Sequence, residues 1–384
     1  MRILIATSVH PPFDARIMRE ITSLVEAGHD CTLMAPWAGD SQGTLPFGAE
    51  FFRRHSSLRG RLIAYLTLLR LASLRRWDAI HLHDFDLLPA ALLLRIVSWR
   101  RVVYDVHENY GDEVMVRSYI PNLIRSPLRW LVNAFERVSA IILGRAVVVV
   151  PDQLARFQRW GCRRVVLVRN FATKALAPEQ PNDLSVLSSD RLVLHSGGQT
   201  VSGGAGVFLE ASRLLVKRGF GATLAGIDRF DGEALRQQVR QHIADVGDRY
   251  ALLPWVRPHE LAVYLRRAAI GVSCNQLMEK RFFISTKLFE YMAFGIPIIA
   301  TDVGYHGDII RDSGAGLLIP PGDPVALADA IERLWGDQVL RRRLGAAGRA
   351  AFFARYCWEH EAERLLAFYR DDRGAAENDI HGHP

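Results

Sequence analysis

The sequence predicts an α/β fold of two doubly wound domains that face a central cleft. Short β-branched segments alternate with longer helical patterns up to residue 171, and the same alternation restarts at residue 191. Between them lies 172–190, ATKALAPEQPNDLSVLSSD, whose Pro, Ser, Asn and Asp content is typical of a linker. Such alternation indicates βαβ units and a parallel sheet in each domain. Because parallel sheets bind ligands at the carboxyl ends of their strands, two domains would bring two binding edges to one cleft.

The first predicted domain, 1–171, contains six strand candidates. A helix is expected over Ala15–Ala27, with Gly28 as its C-terminal stop. The strands are predicted at Ile3–Thr7, Cys31–Ala35, Ala79–Leu82, Val102–Asp105, Ala146–Val150 and Val165–Val168.

The second predicted domain, 191–345, contains five strand candidates. They are Leu192–His195, Ala222–Ala225, Ile270–Ser273, Pro297–Ala300 and Leu317–Ile319. Residues 346–370 are expected to form helices that pack back toward the first domain, and 371–384 to be a disordered polar tail.

Composition excludes several classes of protein. The net charge of +7 suits a phosphate-bearing ligand, a nucleic acid or an anionic membrane surface. A nucleic-acid role is not expected, because the sequence shows no basic–aromatic platform or helix-turn-helix pattern. The four cysteines form no CxxC pair, which favours buried thiols in a reducing compartment. No window of 18 uncharged apolar residues exists, so we expect a cytoplasmic protein, with peripheral attachment to the membrane left open.

One segment combines a helix start with a cation and an acid. Thr286–Asp302 reads TKLFEYMAFGIPIIATD, and Lys287 and Glu290 share a face at i, i+3 spacing. Ser285 or Thr286 is the expected N-cap and Gly295 the expected stop. A helix N-terminus beside Lys287 suits a phosphate, and Glu290 can bind a vicinal diol such as that of ribose. Spacing alone is equally compatible with a surface ion pair.

The same segment, read as STKLFEYMAFGIPIIATD, resembles the C-terminal signature of glycosyltransferase family 4. Three further segments resemble that family: HPPFDARIMREITSLVEAGHDCTLMAP, VVYDVHENYGDE and GAGLLIPPGDPVALADAI. The resemblance covers nearly the whole chain. It implies a GT-B fold of two Rossmann-like domains, with a nucleotide-sugar donor on the second, an acceptor mainly on the first, and transfer with retention of configuration.

The resemblance also implies roles for individual residues. Glu290 would bind the donor ribose, and Lys287 would lie near the diphosphate, at the helix start formed by Ser285 and Thr286. His107, in the DVHE turn, would face the donor sugar. The catalytic residues implied are therefore His107 and Lys287.

Two departures from the family pattern affect the donor site. The first of the family's two glutamates is replaced by Phe282, and glycines, Gly203 and Gly204, stand where the family places Arg or Lys. The loop HSGGQTVSGGAG could still present backbone N–H groups to phosphate. We therefore expect Gly197, Gly198 and Gly203 to contact the donor, with added charge from Lys280 or Arg281.

The acceptor side is expected at the ends of the first-domain strands. Asp14 and Arg16 could line the cleft, with Arg16 reaching a phosphate, although Asp14 is an equally good helix N-cap. His83, Asp84 and Glu108 are the other acceptor-side candidates. The HLHD sequence could ligate a metal, but we favour polar residues at a strand end. No bound metal is expected, since the family uses positive groups and helix dipoles instead.

Two segments of the first domain mix leucine with arginine: Leu58–Arg76 and Arg117–Arg137. Such a surface can lie on anionic lipid, or the leucines can fill the core while the arginines are solvated.

The predicted reaction transfers a hexose, with retention, from a UDP- or GDP-sugar to a hydroxyl of a sugar or lipid-linked acceptor. We place it in cell-surface polysaccharide or glycolipid synthesis. The nucleotide sugar is a co-substrate, and no further cofactor is expected. The alternatives are a sugar-nucleotide epimerase, a phosphorylase, and a nucleotide-sugar-binding protein with weak or no turnover.

Overall fold

The computed structural model describes residues 1–37, 45–53, 58–98, 100–117, 119–184, 191–257, 260–276 and 284–371. The chain separates into two compact units. Unit 1 is Met1–Asn170 together with the segment that begins at Glu361, and unit 2 is Phe171–His360. The predicted linker is described only as far as Leu184, and the predicted tail beyond Asp371 lies outside the described residues.

Unit 1 contains a seven-stranded parallel sheet. Its order is β3-β2-β1-β4-β5-β6-β7. The chain therefore builds the sheet from β1 to the β3 edge, then crosses to β4, which pairs with the other side of β1. The strands are β1 (Arg2–Ala6), β2 (Asp30–Trp37), β3 (Gly48–Arg53), β4 (Ala79–Leu82), β5 (Arg101–Val106), β6 (Arg145–Val148) and β7 (Arg164–Leu167).

Helices connect these strands, as the alternation predicted. They are α1 (Ala15–Glu26), α2 (Leu58–Leu74), α3 (Leu88–Ser98), α4 (Tyr110–Val116), α5 (Asn122–Leu143) and α6 (Pro151–Arg159). The C-terminal stop predicted for α1 is confirmed, because Gly28 has φ +83° and its N–H donates to the Val25 carbonyl. A buried cluster that includes Leu4, Ile80 and Tyr104 forms the core against α2, α3 and α5.

Unit 2 contains a six-stranded parallel sheet of order β10-β9-β8-β11-β12-β13, which reverses between β8 and β11. The strands are β8 (Leu192–His195), β9 (Thr223–Ile227), β10 (Tyr250–Leu253), β11 (Ala268–Ser273), β12 (Ile298–Thr301) and β13 (Gly316–Ile319). The helices are α7 (Ala205–Lys217), α8 (Glu233–Val246), α9 (Ala262–Leu265), α10 (Lys287–Phe294), α11 (Gly304–Ser313), α12 (Pro324–Gly336), α13 (Gln338–Ala354) and α14 (Trp358–Arg370).

Helix α14 ends the described chain, and from Glu361 onward it belongs to unit 1. Its side chains are buried there at Leu365, Phe368 and Tyr369. The Arg164 guanidinium donates to the Ala367 carbonyl at 3.2 Å, which ties the helix to β7.

No helix of the described chain is both long and apolar enough to cross a bilayer.

Candidate active site

Lys287, the first residue of α10, contacts the carboxyl end of β8. Its Nζ lies 3.1 Å from Nε2 of His195, the last residue of β8. The expected core face of the helix, which includes Leu288 and Phe289, is fully buried. The expected stop is also confirmed, since Gly295 has φ +68°. Packing and termination together fix α10 so that its first turn presents an ammonium group at the sheet edge.

The environment of Lys287 disfavours its charged form when no ligand is bound. Burial lowers the pKa of Lys287 to about 8, although the nearby carboxylate of Glu290 acts in the opposite direction. Burial and the charge of Lys287 together lower the pKa of His195, so the imidazole beside the lysine is neutral. An anion placed here would favour the charged form of the lysine and raise its pKa again.

Gly197 leaves the space that the Lys287 side chain occupies. A Cβ at this position would lie 2.1 Å from Cε of Lys287. Within the described part of the chain, the N–H groups of Gly197 and Gly198 have no hydrogen-bond acceptor. Two free N–H donors beside an ammonium group form an arrangement that can bind phosphate.

The second glycine pair does not contribute N–H donors to that arrangement. The Gly203 N–H donates to Oγ1 of Thr200 at 2.8 Å, and the Gly204 N–H donates to the Val201 carbonyl at 3.1 Å. The expectation that Gly203 offers its N–H to phosphate is therefore wrong. Gly204 has a structural reason to be glycine, because its φ is +80° and a Cβ would lie 2.3 Å from Cβ of Cys274.

The remaining donor-side candidates lie at the start of α10. Glu290 is one turn into the helix and partly exposed. Thr286 occupies the N-cap position, as one of the two expectations held, but it has helical angles and its side chain makes no capping hydrogen bond. Ser285, just before it, is buried. Arg281, like Lys280 and Phe282, lies outside the described residues.

In unit 1, His107 lies at the carboxyl edge of the sheet, directly after β5. Its Nε2 is 2.8 Å from Nδ1 of His83, which follows β4. The His83 side chain is fully buried, whereas that of His107 is 12% exposed. The expectation that His83 contacts an acceptor is therefore wrong. His83 instead holds His107, which is the residue that can meet a ligand.

His10, which the sequence analysis did not select, stacks on His107. The ring centroids are 4.8 Å apart and the rings are inclined by 29°. His10 also lies between two carboxylates, with Nδ1 3.5 Å from Asp14 and Nε2 3.4 Å from Asp84. Burial opposes the charge on His10, but the bond to Asp14 and the charge of Asp84 raise its pKa.

The pKa values of the two stacked histidines are shifted in opposite directions. Burial lowers the pKa of His107 to about 4, against the attraction of the buried Asp105 carboxylate. Near neutral pH, His107 is therefore a neutral imidazole, whereas the two carboxylates beside His10 raise the pKa of that ring. The pair can offer a neutral hydrogen-bond donor beside a more basic imidazole.

The carboxylates at this edge have different structural roles. Asp14 is the N-cap of α1, which confirms one of the two interpretations of this residue. Its carboxylate accepts hydrogen bonds from the N–H groups of Arg16 and Ile17. Asp84 accepts hydrogen bonds from the Thr7 hydroxyl, the Ser8 N–H and the Val9 N–H, which fixes the loop after β1. Glu108, by contrast, is exposed and remains a candidate for contact with an acceptor.

Arg16 does not reach a phosphate, which contradicts that part of the prediction. It is 3% exposed, and its guanidinium donates to the Val168 carbonyl at 2.9 Å and to both Asp105 oxygens at 3.0 and 3.1 Å. The Nη2 atom of Arg16 also lies 2.9 Å from Oε1 of Glu20. Arg16 is instead the cation of a buried ion network.

Four residues of this network also have the composition of a metal site. One ligand atom from each of Glu20, His81, His83 and Asp105 lies within 4.8 Å of the others. The Arg16 guanidinium contacts both carboxylates and so supplies the positive charge that a metal ion would bring. We therefore interpret the cluster as an ion network beneath His107.

Two sequence signals could have identified this network. His81 and His83, like Asp105 and His107, are polar residues at i, i+2 spacing in otherwise apolar strands, so each pair shares a face. Arg16 and Glu20 are charged residues four apart in α1, and both are buried beside Ile17, Ile21 and Leu24. Charged residues repeated within buried elements indicate a buried network.

Two family models match consecutive parts of the chain. "Glycosyltransferase Family 4" matches residues 16–172, and "Glycosyl transferases group 1" matches residues 190–337.

A curated relative gives a shorter match. The phosphatidyl-myo-inositol mannosyltransferase of Mycobacterium leprae is 42% identical over 82 residues, which cover 21% of this chain and 22% of that protein. The match to this relative thus spans about a fifth of its length.

Solved structures match along almost the full length. Sucrose-phosphate synthase of Thermosynechococcus elongatus has a TM-score of 0.75 at 18% identity, covering 98% of this chain and all of that one. Anabaena HepE in complex with UDP and glucose has a TM-score of 0.72 at 16% identity, covering 96% and 99%. These likenesses show the GT-B fold with its two Rossmann-like domains.

Proposed function

The chain belongs to the glycosyltransferases described by the group 1 and family 4 models, and from this we propose that it transfers a hexose from a nucleoside-diphosphate sugar to an acceptor hydroxyl. The observation that supports a nucleotide donor best is the group of phosphate-binding features in unit 2, where Lys287 lies beside the free N–H groups of Gly197 and Gly198. The HepE structure, which contains UDP and glucose, gives a precedent on the same fold.

In this proposal the donor diphosphate lies against Lys287 and the loop after β8. The ammonium and the two N–H groups balance the negative charge that grows on the departing phosphate, which is a dominant form of catalysis in a preorganised site. Glu290, one turn further along α10, accepts hydrogen bonds from the ribose hydroxyls. Ser285 and Thr286 stay candidates for contact with the donor.

The bond changes proposed are those of a retaining transfer on one face of the sugar. The acceptor oxygen forms a bond to the anomeric carbon as the bond from that carbon to the phosphate oxygen breaks. The acceptor proton passes to the leaving phosphate oxygen. His107 donates a hydrogen bond to the donor sugar, and Asp14 and Glu108 lie on the acceptor side.

Donor hydrolysis tests this proposal without knowledge of the acceptor. We expect slow release of UDP or GDP from one nucleotide sugar, and we expect the release to be lost in Lys287→Ala and His107→Ala. Tight donor binding with no turnover across a panel of acceptors would favour the binding protein. Conversion of the nucleotide sugar into a second nucleotide sugar, without release of UDP or GDP, would favour the epimerase.

We further propose that unit 1 docks on an anionic membrane, where a lipid-linked acceptor would be found. On α2, α3 and α5 large apolar side chains are exposed beside exposed arginines that include Arg61, Arg129 and Arg137. Apolar surface rimmed by basic residues favours an anionic lipid interface. The exposed apolar residues include Leu62, Leu66, Leu93, Ile96, Val97, Leu123, Trp130, Leu131, Val138 and Ile141.

Vesicle co-sedimentation tests the docking surface. We expect enrichment on anionic over neutral vesicles, and a loss of that enrichment in Trp130→Ser/Leu131→Ser. The control is Trp255→Ser/Val263→Ser, which removes two apolar side chains that are also more than half exposed, but in unit 2. Equal sedimentation on both vesicle types would remove the membrane from the proposal.

A further inference from the structure

Arg229 lies in the loop after β9, next to the loop that carries Gly197 and Gly198. Strands β8 and β9 are neighbours in the sheet of unit 2, so the loops that follow them leave its carboxyl edge side by side. The register pairs His195 with Gly226, and Gly198 and Arg229 are each three residues further along. The sheet therefore brings an arginine to the loop that offers free N–H groups.

Backbone hydrogen bonds join the two loops at Arg229. The Gln199 N–H donates to the Arg229 carbonyl at 2.6 Å, and the Asp231 N–H donates to the Gln199 carbonyl at 3.1 Å. The Arg229 N–H in turn donates to the Ile227 carbonyl at 2.8 Å. The backbone of Arg229 is therefore fixed beside the glycine loop by bonds that do not involve its side chain.

The Arg229 side chain extends over Gly198. A Cβ added at Gly198 would lie 3.5 Å from the Arg229 carbonyl oxygen and 3.8 Å from both Cγ and Cδ of that side chain. The methylene groups of Arg229 thus cover the residue whose N–H has no acceptor, and the guanidinium follows directly after Cδ. The charge of Arg229 is therefore within reach of an anion bound to that N–H.

The guanidinium is held in place without using its hydrogen-bond donors. Its Cζ lies over the ring of Trp255, 5.9 Å from the centroid, at a distance where a cation is attracted to the indole face. Within the described residues, the guanidinium donates no hydrogen bond and forms no ion pair, including with Asp228 and Asp231 nearby in the chain. Its planar set of N–H groups is free for a ligand.

The two neighbouring glycines each lie against a different cation. Gly197 contacts Lys287 from α10, and Gly198 contacts Arg229 from the loop after β9. A departing nucleoside diphosphate gains negative charge on its terminal phosphate, and a single ammonium balances only part of the total. Burial further opposes the charge on Lys287, whereas Arg229 is exposed. The arrangement provides two cations for a ligand with more than one negative charge.

We infer that Arg229 is the second cation of the diphosphate site and a catalytic residue of the transfer, and that it binds phosphate on the Gly198 side while Lys287 binds it on the Gly197 side. A guanidinium can donate two parallel hydrogen bonds to phosphate. Charge that grows on the leaving phosphate would then be balanced from two separate elements. This inference rests on the proposed function for the identity of its ligand.

Calorimetric titration of Arg229→Met with UDP, GDP and inorganic pyrophosphate tests the inference. Methionine keeps an unbranched apolar side chain and removes the charge. We expect the affinity for the bound nucleotide and for pyrophosphate to fall about 10-fold or more, the loss usual for a charge-assisted hydrogen bond. The control is Arg236→Met, because the Arg236 guanidinium also lies over a ring, that of Phe230, but faces the carboxylate of Glu233. It should bind all three ligands as the wild type does.

Pyrophosphate separates a phosphate contact from a contact with the base. If Arg229 and Trp255 formed a platform for the base, Arg229→Met would weaken nucleotide binding and leave pyrophosphate binding unchanged, which would overturn the inference. Because Arg229 is exposed, the variant should also keep the wild-type unfolding temperature without ligand.

The rate of donor hydrolysis separates a catalytic residue from one that only binds the ground state. Charge stabilisation of the leaving phosphate predicts that kcat at saturating donor falls at least about 10-fold in Arg229→Met. A raised KM with unchanged kcat would contradict a role in catalysis. The Arg236→Met control should leave both constants unchanged.

The inference and the proposed function can fail independently. Nucleotide binding that depends on Lys287 but not on Arg229 would overturn the inference and leave the proposed function intact. Binding that depends on Arg229, without hydrolysis or transfer of any sugar, would do the reverse. Failure of the wild type to bind any of the three ligands would overturn both.

Discussion

At the scale of single residues, the donor site depends on the fit between one small and one long side chain. Gly197 has no Cβ, and the Lys287 side chain occupies the space where one would lie. The lysine in turn has a pKa of about 8, because burial opposes its charge. A diphosphate would reverse that effect by adding negative charge beside the ammonium.

The lowered pKa of Lys287 predicts how donor binding depends on pH. Below about pH 8 the lysine is already charged, whereas above it binding must first take up a proton. We therefore expect the affinity for the nucleoside diphosphate to fall as pH rises from 7 to 9. Lys287→Arg, which stays charged, should bind with little change over this range. Calorimetry at several pH values measures this, and a pH-independent affinity in the wild type would contradict it.

Gly197→Ala should weaken donor binding about 10-fold or more, because the added Cβ displaces Lys287 and costs a charge-assisted hydrogen bond. The control is Gly206→Ala in α7, where a Cβ meets nothing within 4 Å. Thermal-shift titration with UDP and GDP compares the two variants. Equal affinities would show that Lys287 does not need the space at Gly197.

Residue roles were predictable only where the sequence carried a local pattern. The helix start at Lys287 and the stop at Gly295 follow from spacing, and the position of His107 follows from the end of a strand. The pairing of His10 with His107, and the use of the Gly203 N–H inside its own loop, depend on side-chain contacts between segments distant in sequence or on the detailed path of a loop.

At the scale of elements, α1 carries two functions on different faces. Its N-cap, Asp14, also contacts His10, while Arg16 and Glu20 enter the buried network. The low pKa of Asp14, about 2, arises despite burial because the hydrogen bond and charge of His10 favour the carboxylate.

Substitution of Asp14 separates its two interactions. Asp14→Ala should lower the free energy of unfolding at pH 7 by about 1–2 kcal/mol through loss of the cap, whereas Asp14→Asn keeps a capping oxygen and should cost less. Ionised Asp14 contributes stability above about pH 4 that is lost as pH falls toward 2, so Asp14→Asn should show a smaller loss over this range. Urea unfolding at pH 7 and at several pH values between 4 and 2 measures the loss of stability and its pH dependence. Asp323→Ala, which removes a cap with no histidine contact, is the control.

The sequence analysis missed one edge strand of each sheet and predicted the other, β7 and β13. β3 and β10 each lie at one end of a sheet and were not predicted. In β3 the side chains are partly or fully exposed along the whole strand. β3 pairs on one side only, so its sequence need not carry the continuous apolar run that identified β1 or β12. That reason does not apply to β10, which is apolar along its whole length.

At the scale of the whole molecule, the chain returns to unit 1 after it has formed unit 2. The Tyr369 hydroxyl lies 2.7 Å from Nδ1 of His81, so the C-terminal helix contributes to the network beneath His107. Alternation of strands and helices predicted the two sheets, but it gives no information about which unit receives the last helix. That depends on the long-range contacts of Tyr369.

Tyr369→Phe should therefore destabilise unit 1 by about 1–2 kcal/mol, since it leaves His81 Nδ1 without its buried donor. Amide hydrogen exchange should accelerate in β4 and β5 more than in the strands of unit 2. Tyr264→Phe, which removes a hydroxyl bond to the Pro254 carbonyl in unit 2, should show the reverse. The same exchange pattern in both variants would contradict the assignment of α14 to unit 1.

The claim that unit 2 binds a nucleoside diphosphate through Lys287 is tested most directly by calorimetric titration with UDP and with GDP. We expect one of the two to bind the wild-type protein with one-to-one stoichiometry. Lys287→Met should weaken that binding at least about 10-fold, which is the loss expected for one charge-assisted hydrogen bond to phosphate, whereas Lys217→Met, at an exposed lysine of α7, should leave it unchanged. Failure of both nucleotides to bind, or equal binding by wild type and Lys287→Met, would contradict the account.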